Sequence, residues 1–294
     1  MLKPSAPIDL RLTLAPLRHG PADPTIRLRG PEAWRATRTP DGPAGTYLRA
    51  VGNGIEVSAW GPGSDRALEH APELIGMEDD PSGFAPEDVL VARMHRRMSG
   101  LRMCRSRAVV EALLPTVLEQ RVTSEEAHTS YARLVWKLNE PAPGPVKLML
   151  PPDPRRVAGL PYWWFHPLGV ERTRAETLRR VCSYAHRLEE TVSMARPDAE
   201  RRLRALRGVG AWSVAHVAQA AFGDPDAVIV GDFHLPHIVT WTLASEPRGS
   251  DERMLELLEP YKGHRGRAVR LLAIAGGRPP NRTIRHPMRR IQHI

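Results

Sequence analysis

The spacing of apolar residues changes period near residue 85, and that change constrains the fold more than any other feature. Upstream, Ile8, Leu10, Leu12 and Leu14 alternate with Asp9, Arg11 and Thr13, the period of a half-buried strand. Trp34–Thr39, Thr46–Val51 and Ile55–Trp60 read as further short strands, separated by turns such as Pro40-Asp41-Gly42 and Gly52-Asn53-Gly54. A helix is predicted over Asp65–Ile75, and the acidic run Glu78–Gly83 reads as a linker. Downstream the period becomes helical. Val109, Val110, Leu113, Leu114, Val117 and Leu118 share one helix face, with Pro115 expected to kink it. Thr123 with Glu126, and Thr173 with Glu176, have capping-box spacing, and Asp198 is placed to cap a helix running to Leu206. The proline-rich stretch from Pro141 to Pro161 cannot be helical throughout. Helices are predicted again over Ala211–Phe222, His234–Leu243, Asp251–Glu259 and Gly266–Ile274. The expectation is an α+β chain: a small antiparallel β-sheet domain with a helix over 1–88, then an all-helical domain over 89–294.

Several function classes fall away on composition. No apolar run approaches the roughly 20 residues of a membrane span, and the opening MLKPSAPIDL lacks a signal-peptide core, so a cytoplasmic location is expected. Two cysteines, Cys104 and Cys182, cannot build a disulfide framework or a four-thiolate cluster. The 42 Lys and Arg residues exceed the 33 Asp and Glu, giving a formal net charge of +9 that suits a polyanion. Lysine occurs only at positions 3, 137, 147 and 262, so the basic residues are nearly all arginine, whose fork matches phosphate.

The stretch Leu203–His237 carries the most chemistry. Gly208 and Gly210 bracket a turn expected to be too tight for side chains, with Val209 anchoring it in the core. The turn delivers free backbone amides at the start of the next helix, a site for a phosphate oxygen. A plain helix–turn–helix corner fits the same residues.

Leu206-Arg207-Gly208-Val209-Gly210-Ala211-Trp212-Ser213, followed by Asp226-Ala227-Val228-Ile229-Val230-Gly231-Asp232, resembles the helix-hairpin-helix DNA glycosylases. Within that superfamily it is most similar to the AlkA type, the 3-methyladenine DNA glycosylase II group. Asp232 follows Gly210 by 22 residues, about where the family places its catalytic Asp. Leu118-Glu119-Gln120-Arg121-Val122-Thr123 is similar to the family's glutamine-containing helix end, and the N-terminal strands fit its β-rich domain. The resemblance implies excision of alkylated purines from duplex DNA containing damaged bases, by a nucleoid-associated monomer that needs no cofactor. Asp232 would stabilise the oxocarbenium-like sugar, although its position also suits a plain helix cap. Trp212, Phe233, Trp163, Trp164 and His216 are candidate pocket residues, and any of the aromatics could equally be core. Arg207, Gly208, Gly210, Gln120, Arg121 and Arg265 are candidate DNA contacts.

Three departures matter. Arg207 replaces the family's usual hairpin proline, Arg121 stands where the family inserts an apolar wedge, and Trp212 stands where bifunctional members carry a nucleophilic lysine. The last implies a monofunctional enzyme. Two other readings stay open. One is a noncatalytic binder of DNA structure that kept the hairpin. The other is a metal-dependent hydrolase using Asp232, His234 and His237, with His264 as a possible fourth ligand. The basic tail Arg282–Arg290 is a candidate nonspecific contact to the DNA backbone.

Overall fold

A computed structural model describes residues 1–277, 279 and 280; the basic tail lies outside the described residues. A short helix α1 (Leu10–Leu14) precedes four strands, β1 (Ile26–Arg29), β2 (Glu32–Thr39), β3 (Gly42–Val51) and β4 (Gly54–Trp60). They form one antiparallel meander in the order β1-β2-β3-β4. Helices α2 (Ser64–Glu69), α3 (Ala71–Leu74), α4 (Val89–Arg97), α5 (Val109–Glu119), α6 (Ser124–Leu138) and α7 (Pro154–Gly159) follow. The remainder is α8 (Arg172–Ser183), α9 (Ala185–Glu189), α10 (Arg196–Arg204), α11 (Ala211–Ala220), α12 (Leu235–Ala244), α13 (Asp251–Leu258) and α14 (Arg265–Ala275). Among the described residues no helix is long and apolar enough to cross a membrane.

Helix α5 is the central element. Val109, Val110, Leu113, Leu114, Val117 and Leu118 are buried against α6, α8 and α11, and the helix continues through Pro115. A second core gathers α4, α12, α13 and α14 around Met94, Val239, Met254 and Leu272. The sheet covers a third with Leu10, Leu14, Leu48 and Ile75. Glu111 fastens the sheet to α5 by accepting hydrogen bonds from Arg35 Nη2 at 2.6 Å, Thr37 Oγ1 at 2.8 Å and the Arg38 amide at 2.7 Å. Asp79 of the acidic run is buried and paired with Arg267 of α14 at 2.5 Å.

Four local expectations are corrected. Ile8–Leu14 is not a strand: Asp9 caps α1 by accepting from the Leu12 amide at 2.9 Å. Leu10 and Leu14 then share a face toward the sheet core while Leu12 packs on the α4–α14 core. Alternation was produced by two cores on opposite sides of a helix, a case that period alone does not separate. The helix over 65–75 breaks at His70, where Pro72 starts a fresh turn. Thr173 and Glu176 form no capping box: Glu171 caps α8, and Glu176 pairs with Arg172 one turn earlier. Asp198 lies inside the first turn of α10, whose cap is Ala195, and pairs with Arg201. The Thr123–Glu126 capping box is present.

One cap has a measurable consequence. Ala108 offers no side chain at the start of α5, and the carboxylate of Glu189 accepts from the Val109 and Val110 amides instead, at 3.0 and 2.8 Å. Burial pushes Glu189 up to about 7, against the lowering effect of those two amides. A carboxyl raised in the folded state adds stability below its unfolded value, and that stability is lost as pH rises through 7. The amount is on the order of 3 kcal/mol. His70, His95, His216 and His264, lowered by burial, have the opposite slope in this window. The test is therefore a difference: denaturation midpoints of wild type and Glu189→Gln at pH 5 and pH 8. Wild type should lose stability relative to the variant as pH rises; a gap that does not move with pH contradicts the assignment.

Candidate functional site

The turn between α10 and α11 is held from three sides. Val209 is buried in the α5 core. Arg180 Nη1 donates to the Arg207 carbonyl at 2.8 Å, and Gln120 Nε2 donates to the Gly208 carbonyl at 2.8 Å and to Ser213 Oγ at 3.2 Å. Gly208 has φ +95°, and a Cβ there would lie 2.6 Å from the Thr177 side chain. Gly210 differs from the expectation: its φ is −99°, and a Cβ would meet nothing within 4 Å. Only Gly208 is required by the turn. Gly210 leaves open space over the first amides of α11, which have no side-chain cap. Arg121, Arg204 and Arg207 are exposed, and none takes part in an ion pair among the described residues. Arg121 adopts φ +59°, left-handed backbone in a non-glycine residue.

Asp232 lies on the loop leading into α12. Its Oδ1 accepts from the His234 amide at 2.7 Å and the Leu235 amide at 2.9 Å. The carboxylate is thus both a helix cap and a fixed negative charge. The rival carboxylates are occupied. Asp224 pairs with Arg196, and Asp226 takes the Arg265 guanidinium through both oxygens, at 2.9 and 2.5 Å. Arg265, a candidate DNA contact in the sequence, is engaged in this ion pair with its side chain partly exposed. The members of the possible metal set point to separate tasks. His237 Nδ1 accepts from the Gly249 amide at 3.1 Å, His264 packs on Phe84, and His234 stands edge-on to Phe233.

One face of α11 carries Trp212, His216 and Gln219. The Trp212 and His216 rings lie 4.2 Å apart. His216 and Gln219 line a cavity of about 240 Å³ between α5, α6, α11 and the segment 15–19. Glu119, His19, His128 and Tyr131 are among its other polar lining residues. Glu119 Oε1 lies 3.6 Å from His128 Nε2 and 3.9 Å from His19 Nδ1. Burial alone would raise Glu119, but its contacts with His128 and His19 pull it down to about 2. Burial lowers His216, opposed by the charges of Glu119 and Asp232. His216 Nε2 is buried without a hydrogen-bond partner.

Trp212 and Asp232 sit beside this cavity without lining it. Phe233 is 62% exposed. Trp163 and Trp164 are elsewhere, on the turn between α7 and α8. Trp163 is exposed, while Trp164 packs on Phe165 under the Lys137 ammonium, 4.2 Å from the ring centroid. They are not walls of this pocket.

No protein-family profile matches the chain. A 161-residue segment is 24% identical to YfjP of Bacillus subtilis (strain 168), whose name gives it provisionally as a DNA-3-methyladenine glycosylase. That match covers 52% of this chain and 55% of the relative, so the chain spans about half of the curated relative it matches. The 3-methyladenine DNA glycosylase of Archaeoglobus fulgidus superposes with a TM-score of 0.78 at 16% identity, over 92% of this chain and 97% of that one. This is the helix-hairpin-helix DNA glycosylase fold. The 8-oxoguanine glycosylase/lyase of Clostridium acetobutylicum, solved with DNA, shares it with a TM-score of 0.69 at 13% identity, over 91% of both chains.

Of the residues singled out in the sequence, the fold brings Gln120 onto the hairpin and places Trp212 against the cavity-lining His216; Glu119, His19 and His128, which line the same cavity, were not among them. Glu119 left little signal: it shares a helix face with Glu111, Ala112 and Thr116, beside the apolar face and not on it. His19 had none, because only the folding back of the N-terminal segment brings it to α5.

Proposed function

We propose that the chain is a monofunctional DNA glycosylase that hydrolyses the N-glycosidic bond of alkylated purines in duplex DNA. The observation that carries this reading is Asp232 held rigidly at the start of α12, next to the α11 face that follows the hairpin. As the bond to the base breaks, positive charge develops on the deoxyribose. A carboxylate already fixed by two amides stabilises that charge without reorganising. The open hairpin amides and the exposed Arg207 and Arg121 would anchor the phosphates on either side of an extruded nucleotide. Trp212 presents an aromatic face suited to a cationic base.

Incubation with duplexes carrying single lesions, followed by counting abasic sites, tests the reading. Release of 3-methyladenine or 7-methylguanine supports it. Tight binding with no release from any lesion would favour the noncatalytic binder. A separate outcome concerns position 212. With tryptophan where a lyase needs an amine, borohydride should trap no covalent protein–DNA adduct during turnover. A trapped adduct would contradict the monofunctional assignment.

A further inference from the structure

The cavity beside Asp232 carries fixed polar groups among its apolar ones. Glu119 projects from the last turn of α5, with His128 of α6 and His19 of the N-terminal segment closing on one oxygen. Its other oxygen, Oε2, has no hydrogen bond among the described residues. Gly20 permits the arrangement: at φ +85°, with a Cβ that would fall 2.8 Å from the His128 side chain, it lets the loop close onto that ring. Asp23 holds the same loop by accepting from the His19 amide at 2.7 Å. His216 also lines this cavity, and its Nε2 is buried without a hydrogen-bond partner. A buried polar atom without a partner costs stability. Of the other charges on the wall, Arg35 is paired with Glu111 at 2.6 Å, while Arg18 keeps its charge and donates to the Pro21 carbonyl at 3.0 Å.

Building on the glycosylase reading, we propose that Glu119 and His216 are specificity-determining residues that select a positively charged, amine-bearing purine over a neutral one whose amine is blocked. A carboxylate oxygen accepts N–H bonds from such a base and offsets its charge, and an adduct lacking both gains nothing from it. An uncharged imidazole beside the base avoids the repulsion that an imidazolium would exert on a cation.

The test compares duplexes with a single 7-methylguanine or a single 1,N6-ethenoadenine, using wild type, Glu119→Gln and Glu119→Asp. Under single turnover, Glu119→Gln should reduce 7-methylguanine release roughly tenfold or more beyond any change in ethenoadenine release. Glu119→Asp, which keeps the charge, should restore most of the preference. A direct binding measurement uses a duplex with non-hydrolysable 2′-fluoro-7-methyldeoxyguanosine. Glu119→Gln should weaken it by a similar factor while binding an abasic duplex like wild type, which also reports that the variant is folded. If Glu119→Gln does not fold, the Asp variant and His216→Gln carry the same comparison, His216→Gln also narrowing the preference. Equal losses on both lesions, or no loss on either, would overturn the proposal and leave the glycosylase reading standing. Wild type that releases neither base from a duplex it binds would overturn both.

Discussion

Replacing Asp232 by asparagine is expected to lower base release by about 10²–10⁴-fold while leaving the fold and DNA binding in place. The separation follows from the two tasks of the residue. An asparagine carbonyl can still accept from the His234 and Leu235 amides that Oδ1 serves now, so the cap on α12 survives. Stability should change by less than about 1 kcal/mol. What the variant lacks is the negative charge opposite the developing oxocarbenium ion. Thermal melting, affinity for a lesion duplex and single-turnover base release together distinguish the outcomes. A variant that melts far lower would make Asp232 chiefly a cap. A folded variant with wild-type release would remove it from the chemistry.

The two hairpin glycines are expected to fail in different ways. Gly208→Ala forces a side chain into positive φ and against Thr177, so it should destabilise the protein by about 2–4 kcal/mol and loosen the hairpin. Gly210→Ala meets nothing and keeps an allowed backbone, so its effect on stability should stay within about 1 kcal/mol. Its methyl group would nevertheless fill part of the open space at the start of α11, which the proposed phosphate contact uses. DNA affinity should fall about tenfold. Equal melting temperatures for the two variants would contradict the division of roles. Unchanged DNA affinity in Gly210→Ala would remove the amides of α11 from the interface.

Much of this was legible in the sequence because it depends on short spacing. The hairpin, its buried Val209, the Thr123–Glu126 box and three of the strands each need only a few neighbouring residues. Asp232 was singled out only through the family resemblance, which places a catalytic Asp about that far from the hairpin. The failures share a cause in tertiary context. Leu10, Leu12 and Leu14 alternate because two cores lie on opposite sides of α1. The pairing of Arg265 with Asp226, 39 residues earlier, is announced by no local spacing. Trp163 and Trp164 read as pocket walls because aromatic residues suit pockets, yet neither lines this cavity: Trp163 is exposed and Trp164 packs on Phe165. The Glu119 cluster joins residues 19, 119, 128 and 216, and no local window contains more than two of them.

The account rests on chemistry at the glycosidic bond, and one measurement reaches it directly. A duplex with a single 3-methyladenine is incubated with the protein, and both the released base and the strand are followed. The predicted result is free 3-methyladenine in step with abasic sites on an uncut strand, lost on substitution of Asp232 by asparagine. A duplex that is bound but keeps its base, or one released equally well by the asparagine variant, would contradict the account.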